Sequence, residues 1–193
     1  MMNNPIAQFT QWWAQARIDS PLNQKSAVCI STIDQDGFPA ARFVDLKSVS
    51  NDGLVFCTYL SSQKGREISK CNKVALTAWW DHVGYQIRVT GTATKLSNTD
   101  AQKYWKTRTR AAQMTTHVCE QSQLIDNPSM LGQKVAEYAR HNEAEPSKMP
   151  TNWGGYSIKP IRIEFLTFKD DRLHIRELFT LRNEKWNKAY LQP

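Results

Sequence analysis

Long apolar runs are missing from this 193-residue chain. Nothing in it approaches the ~18 consecutive apolar residues that read as a membrane-spanning helix, so no membrane span is expected. The N-terminus (Met1 to Ala7) lacks the basic start and apolar core of a secretory signal, which makes the cytoplasm the expected location. Cysteine is sparse: Cys29, Cys57, Cys71 and Cys119 lie far apart with no CxxC pair. That spacing excludes a disulfide framework or a zinc site and predicts buried free thiols. GxGxxG, P-loop, GxSxG and HExxH sequences are all missing, and the His and Cys spacing suits no metal. An enzyme built this way would need an organic cofactor for its difficult step. No repeat, low-complexity segment or block of five like charges is present.

What is present is an ordinary globular balance, with 40% hydrophobic residues. The length suits one domain over 1–193. Lys and Arg exceed Asp and Glu by 25 to 18, a formal charge of +7. Such an excess fits nucleic acid, an anionic surface or phosphorylated small ligands. The basic residues are scattered, whereas a nucleic-acid binder concentrates them in a stripe.

The first segment predicts an amphipathic helix within 1–20. Asn4 suits the cap and Pro5 the first helical position, and Ile6, Phe9, Trp13 and Ala16 recur at helical spacing. Asp19, Ser20 and Pro21 end it. Strands are expected over 26–33, 38–48 and 54–60, joined by Asp36-Gly37 and Asp52-Gly53, which are hairpin signals. A short helix over 62–70 and strands over 73–80 and 85–96 follow. A helical insertion over 97–142 begins with the capping pair Ser97 and Asp100 and includes a helix over 129–142. After a loop at 143–152, strands are expected over 156–168, 172–179 and 185–191, within a C-terminal β segment 153–193. The fold class is therefore mainly β with helices (α+β), an antiparallel barrel and not a doubly wound sheet.

Three constellations could carry chemistry. In Arg172-Leu173-His174-Ile175-Arg176, strand alternation puts Arg172, His174 and Arg176 on one face, either solvated or lying against an anionic ligand. Tyr104 and Arg108 are four apart, neighbours on one helical face if the helix continues to Ala112, and could hold a phosphate. Arg42 and Lys47 on a strand, Lys64 at a helix start, and Gln86 with Arg88 on one strand face suit a phosphorylated, planar ligand. Each also has a plain structural explanation as a solvated face.

These segments resemble the pyridoxamine 5′-phosphate oxidase family, in order and in register from about residue 8 onward. The resemblance is carried by Ala41-Arg42-Phe43-Val44-Asp45-Leu46-Lys47 and Val55-Phe56-Cys57-Thr58-Tyr59-Leu60-Ser61-Ser62-Gln63-Lys64. It continues through Tyr85-Gln86-Ile87-Arg88-Val89-Thr90-Gly91, Lys103-Tyr104-Trp105-Lys106-Thr107-Arg108, Gln121-Ser122, Trp153-Gly154-Gly155-Tyr156 and Arg172-Leu173-His174. It implies a split β-barrel homodimer with FMN at the subunit interface. The implied FMN residues are Arg42, Phe43, Val44, Lys47, Cys57, Thr58, Gln63, Lys64, Gln86, Gln121, Ser122, Trp153 and Arg176. Lys47, Tyr104, Arg108, Arg172 and His174 would bind a phosphorylated pyridine, with Arg172 and His174 catalytic. The implied reaction passes a hydride from substrate C4′ to flavin N5, and dioxygen then yields hydrogen peroxide.

The chain also departs from the family pattern. Ala112 stands for a phosphate-binding Ser, Gln63 for an Arg, His117 for a Trp, and Asp45 interrupts an apolar strand. The chain ends Tyr190-Leu191-Gln192-Pro193, and the arm before the first helix is expected to be nearly absent. These departures keep open an oxidase or reductase of the same fold acting on another ring, of the phenazine-biosynthesis type. A non-catalytic flavin- or nucleic-acid-binding module is the third reading.

Overall fold

The computed structural model describes residues 4–18, 20–142 and 147–193, so Asp19 and the first part of the expected 143–152 loop lie outside the described residues. Helix α1 (Pro5–Ile18) begins where Asn4 Oδ1 accepts the Ile6 and Ala7 N–H groups. Its buried stripe of Ile6, Phe9, Trp13 and Ala16 enters the main core, while Trp12 stacks on Tyr85 at 4.0 Å between ring centroids.

Five strands and one helix follow: β1 (Ala27–Ile33), β2 (Pro39–Ser50), β3 (Gly53–Tyr59), α2 (Gln63–Lys70), β4 (Lys73–Trp80) and β5 (Tyr85–Lys95). Three helices, α3 (Asn98–Lys106), α4 (Arg110–Val118) and α5 (Met130–His141), precede β6 (Trp153–Thr167), β7 (Ile175–Arg182) and β8 (Lys185–Leu191). All strand pairings are antiparallel, in the order β3-β2-β1-β4-β5-β6-β7-β8, and β3 also pairs with β6. Six strands thus close into a barrel, and β7 and β8 extend the sheet beyond it. This is the expected α+β split-barrel class.

Closure depends on β6, which pairs with β3 through its first half and with β7 through its second. Gly155 makes the tight seam with β3 feasible, because a Cβ there would stand 2.5 Å from the Phe56 carbonyl oxygen. Inward-facing Ile30, Leu46, Leu54, Phe56, Leu76, Ile87, Ile158, Ile163 and Phe165 fill the barrel. A smaller cluster of Tyr59, Ala101, Trp105 and Trp153 packs α3 against the β3–β6 seam.

Three expectations fail locally. β7 starts at Ile175, not 172, so strand alternation does not orient Arg172 and His174. Arg172 has φ 66° in a turn tied by its N–H to the Lys169 carbonyl and by the Lys169 N–H to His174 Nδ1. The helix from Ser97 stops at Thr107, and α4 starts anew from its own cap, where Thr109 Oγ1 accepts the Ala112 N–H. Tyr104, Arg108 and Ala112 therefore share no continuous helical face. The four cysteines are free, as expected, but each is only partly buried.

Candidate functional site

The most enclosed candidate is built by the end of β3 and the start of α2. Ser62 caps α2, its Oγ accepting the Gly65 N–H at 3.3 Å while donating to the Tyr59 carbonyl at 2.7 Å. This cap folds Lys64 back toward the strand, where it is 7% exposed. Its ammonium donates to Gln121 Oε1 at 3.0 Å, Thr58 Oγ1 at 3.2 Å and Ser62 Oγ at 3.4 Å. Every one of these acceptors is neutral. Burial, reinforced by the nearby Arg42 charge and only partly offset by Glu67, lowers the Lys64 pKa to about 8. A buried cation among hydroxyl and amide oxygens at a helix start is suited to an anionic group.

Beside it, Arg42 is held by Glu67 at 2.8 Å and by Thr32. Burial pushes the Glu67 carboxyl up, but hydrogen bonds from Thr32 and Gln63 and the Arg42 charge outweigh it and hold it below its usual value. Gln63 spends its amide on this network, at 2.7 Å from Glu67 Oε1. Glu67, Thr32 and Ser62 were not singled out in the sequence. Only the helical i, i+3 spacing of Lys64 and Glu67 could have drawn attention to Glu67.

A second cluster forms where β2 bulges. Leu46 faces Phe56 but Ser48 faces Val55, so Lys47 is the extra residue. Its Nζ lies 2.5 Å from Asp45 Oδ2. Ser48 Oγ and Tyr104 Oη are 2.9 Å apart, which ties α3 to the same strand. Arg108, in the break between α3 and α4, donates from Nη2 to the Ala112 carbonyl and Thr116 Oγ1, each at 3.1 Å, while its buried Nε has no partner among the described residues. The Cys57 thiol is pushed up to about 12 by burial, with Lys47 and Arg108 pulling against it. Burial likewise lowers the Arg108 pKa, which Tyr59, Cys57 and Asp45 oppose. The Lys47 and Arg108 charges thus both act on Cys57, and Tyr104 packs with Cys57 on the Tyr59, Trp105 and Trp153 cluster.

The third group lies on the outer face of β5, β6 and β7. Gln86 and Arg176 both pair with Leu166, from opposite sides. Arg176 donates from Nε and Nη2 to Glu164 Oε1 at 2.9 and 2.7 Å and from Nη1 to the Gln192 carbonyl at 3.0 Å. Arg88 approaches the other Glu164 oxygen at 3.2 Å. Arg172 is exposed on the adjacent turn, and His174 meets Phe168 edge-on at 5.4 Å. Glu164 also went unremarked in the sequence, although it lies directly opposite Arg88.

The remaining candidates scatter. Phe43 is 75% exposed on the outer face of β2, and Val44 packs on the core. Ser122 occupies a turn at φ 71°, next to Gln121 in the Lys64 cradle. Trp153 is 2% exposed, packed edge-on against Trp105, with the Arg108 guanidinium 5.3 Å from its ring.

Two of these groups stand far apart within one chain. Cys57 pairs with Gly155 and Arg176 with Leu166, eleven residues further along β6. At ~3.3 Å per residue that is roughly 35 Å of strand. Among the described residues no helix is long and apolar enough to cross a membrane, and no group of three His, Cys, Asp or Glu side chains could hold a metal.

Residues 14–142 match the family described as pyridoxamine 5′-phosphate oxidase, and residues 153–193 match the pyridoxine 5′-phosphate oxidase C-terminal dimerisation region. The chain is 35% identical over 190 residues to a pyridoxine/pyridoxamine 5′-phosphate oxidase of Leptospira biflexa, covering 98% of this chain and 89% of that one. It is 36% identical to the enzyme of that name from Rubrobacter xylanophilus, covering 98% and 87%. Among solved structures, PhzG from Burkholderia lata 383, in complex with tetrahydrophenazine-1-carboxylic acid, superposes with TM-score 0.90 at 27% identity, covering 98% and 93%. An FMN-binding protein of Nostoc punctiforme shares the fold with TM-score 0.80 at 16% identity, both chains being fully covered.

Proposed function

The chain belongs to the pyridoxamine 5′-phosphate oxidase family, and from that premise we propose that it is an FMN-dependent oxidase working as a homodimer on pyridoxamine or pyridoxine 5′-phosphate. The product is pyridoxal 5′-phosphate, dioxygen is the electron acceptor, and the chain acts as one domain in the cytoplasm. The observation that carries this reading is the division of the site. Lys47, Tyr104 and Arg108 gather at one end of β6, and Arg172, His174 and Arg176 belong to the other. A second copy of the chain can set one end against the other; a single chain cannot bring both to one small ring.

The donor set suits FMN. Among the described residues no carboxylate lies at hydrogen-bond distance of the buried Lys64, and the Ser62-capped start of α2 lies beside it, so Lys64, Ser62, Thr58 and Gln121 would hold the phosphate. Gln86 and Arg176, on an exposed sheet face, would lie against the ring. Bound FMN supplies two-electron acceptance from the substrate and delivery of those electrons to dioxygen. The protein's own task is orientation: Lys47, Tyr104 and Arg108 hold the substrate's anionic group, and Arg172 and His174 fix the ring and shield it from water. No thiolate nucleophile is needed, and Cys57, pushed up to about 12, offers none at neutral pH.

A second reading has its own support. Asp45 sits on Lys47 and Ala112 offers no hydroxyl, which favours a ring other than the vitamin B6 phosphates, and the likeness to PhzG extends over nearly the whole chain. The deciding assay is hydrogen peroxide release by the FMN-loaded protein with pyridoxamine and pyridoxine 5′-phosphates. Turnover of either supports the first reading. No peroxide release with either, and a flavin that neither reduces under anaerobic conditions, overturns it.

A further inference from the structure

Of Lys47, Tyr104 and Arg108, only Arg108 stands outside a helix or strand, in the connection between α3 and α4. A long side chain rooted there would sample many rotamers, and freezing them on binding would weaken its hold on an anion. The fold fixes it instead. Nη2 donates to the Ala112 carbonyl and to Thr116 Oγ1, each at 3.1 Å. The guanidinium carbon lies 5.3 Å from the Trp153 ring centroid and 5.8 Å from that of Trp105, within cation–π range of both. We propose that Thr116 is a positioning residue, whose hydroxyl holds the Arg108 fork in the orientation that receives the substrate's phosphate without touching the substrate itself. The proposal rests on the reading of Arg108 as a holder of that phosphate.

The chemistry of the hydroxyl supports this role. Thr116 is 4% exposed on α4, and its single O–H is donated to the Ala112 carbonyl at 2.7 Å. Toward Arg108 the oxygen can therefore only accept, which is the sense a guanidinium requires. Nη2, the Ala112 carbonyl oxygen and Thr116 Oγ1 close a triangle that pins one end of the fork. Nε, buried without a partner among the described residues, and Nη1 keep their hydrogens for other acceptors. Buried donors in that condition are the ones a bound anion satisfies.

The hydroxyl is itself held in place. Tyr59, at the end of β3, donates its Oη to the Thr115 carbonyl at 3.4 Å, which sets this turn of α4 against the barrel. Ala112 offers Arg108 only a main-chain oxygen, so Thr116, one helical turn further on, is the only side chain among the described residues that hydrogen-bonds the guanidinium.

Steady-state peroxide release by FMN-loaded protein with pyridoxamine 5′-phosphate separates the hydroxyl from the methyl group. Thr116→Val keeps the shape and removes the hydroxyl. It should raise KM about tenfold and leave kcat within about twofold, as loss of uniform binding requires. Thr116→Ser keeps the hydroxyl and should retain the unaltered KM. In an Arg108→Lys background, which has no Nη2, Thr116→Val should add less than about twofold. If Thr116→Val fails to retain FMN, Thr116→Ala, a better helix former, takes its place with the same expected rise. A KM that removal of the hydroxyl leaves within about twofold, or that Thr116→Ser raises as much, overturns the proposal, because the threonine then acts through packing or not at all. An effect that persists undiminished in Arg108→Lys overturns it as well. If the unaltered protein releases no peroxide with this substrate, the substrate reading itself fails and the proposal falls with it.

Discussion

Raising the pH should loosen the hold on a phosphate at Lys64, and the structure sets both the direction and the range. Burial lowers this lysine from 10.5 to about 8 in the free protein. The gap corresponds to roughly 2–3 kcal/mol after allowance for solvent screening. Below pH 8 the folded protein carries a buried charge that the unfolded chain keeps in water. Between about 8 and 10.5 the unfolded chain binds the extra proton, so stability without ligand rises with pH across that window. A bound phosphate reverses the effect: it favours the ammonium, restores the pKa, and takes up a proton when it binds above pH 8. Its own second ionisation, near 6, is complete throughout. FMN affinity should therefore fall by up to about tenfold per pH unit above 8. Quenching of flavin fluorescence between about pH 7 and about pH 9.5 reads it. Riboflavin, which shares the ring but lacks the phosphate, should show no such slope. Lys64→Met should bind FMN about 10- to 100-fold more weakly at pH 7 and lose the dependence. A flat profile in the unaltered protein, or an unchanged slope in Lys64→Met, would refute the reasoning.

Other perturbations probe the outer face and its turn. Arg172→Ala and His174→Ala should stay yellow and dimeric while losing peroxide release, since both lie in the turn before β7 and not in the barrel core. Loss of FMN from both would reassign them. Because Arg172 has φ 66°, Arg172→Gly should be more stable than Arg172→Ala by about 1 kcal/mol in urea unfolding. Glu164→Gln leaves Arg88 and Arg176 facing each other without their shared carboxylate, and should cost about 1–3 kcal/mol of stability and weaken FMN binding. An unchanged urea midpoint and unchanged flavin affinity would show that Glu164 positions nothing.

Much of the barrel was legible because its signals are local. Asp36-Gly37 and Asp52-Gly53 lie at hairpin turns with Gly37 and Gly53 at φ 87° and 133°, as the dipeptides indicate. Strand-like and apolar runs set off by turn signals located β1 to β5 within two residues at each end. The failures came where a turn competes with a pattern. Arg172-Leu173-His174 alternates like a strand, but Asp171 Oδ1 accepts the Leu173 N–H and the Lys169 N–H reaches back to His174, which closes a turn that the pattern does not reveal. Thr107 to Thr109 interrupts a helix whose i, i+4 spacing looked continuous, because Thr109 caps a new one. The supporting carboxylates were harder still. Glu67 reaches Arg42, 25 residues away, and Glu164 reaches Arg176 and Arg88, 12 and 76 residues away, and only the folded sheet brings these pairs together.

The central claim is that one functional site draws its two halves from two copies of the chain. Co-expression of Lys47→Met and Arg172→Ala subunits with different tags, followed by isolation of the mixed dimer, tests it most directly. Each variant alone should be inactive. If the site spans two copies, the mixed dimer holds one intact site and one doubly damaged site, and should release peroxide at about half the unaltered rate. A mixed dimer as inactive as its parents would place Lys47 and Arg172 in the same site of the same chain and contradict the account.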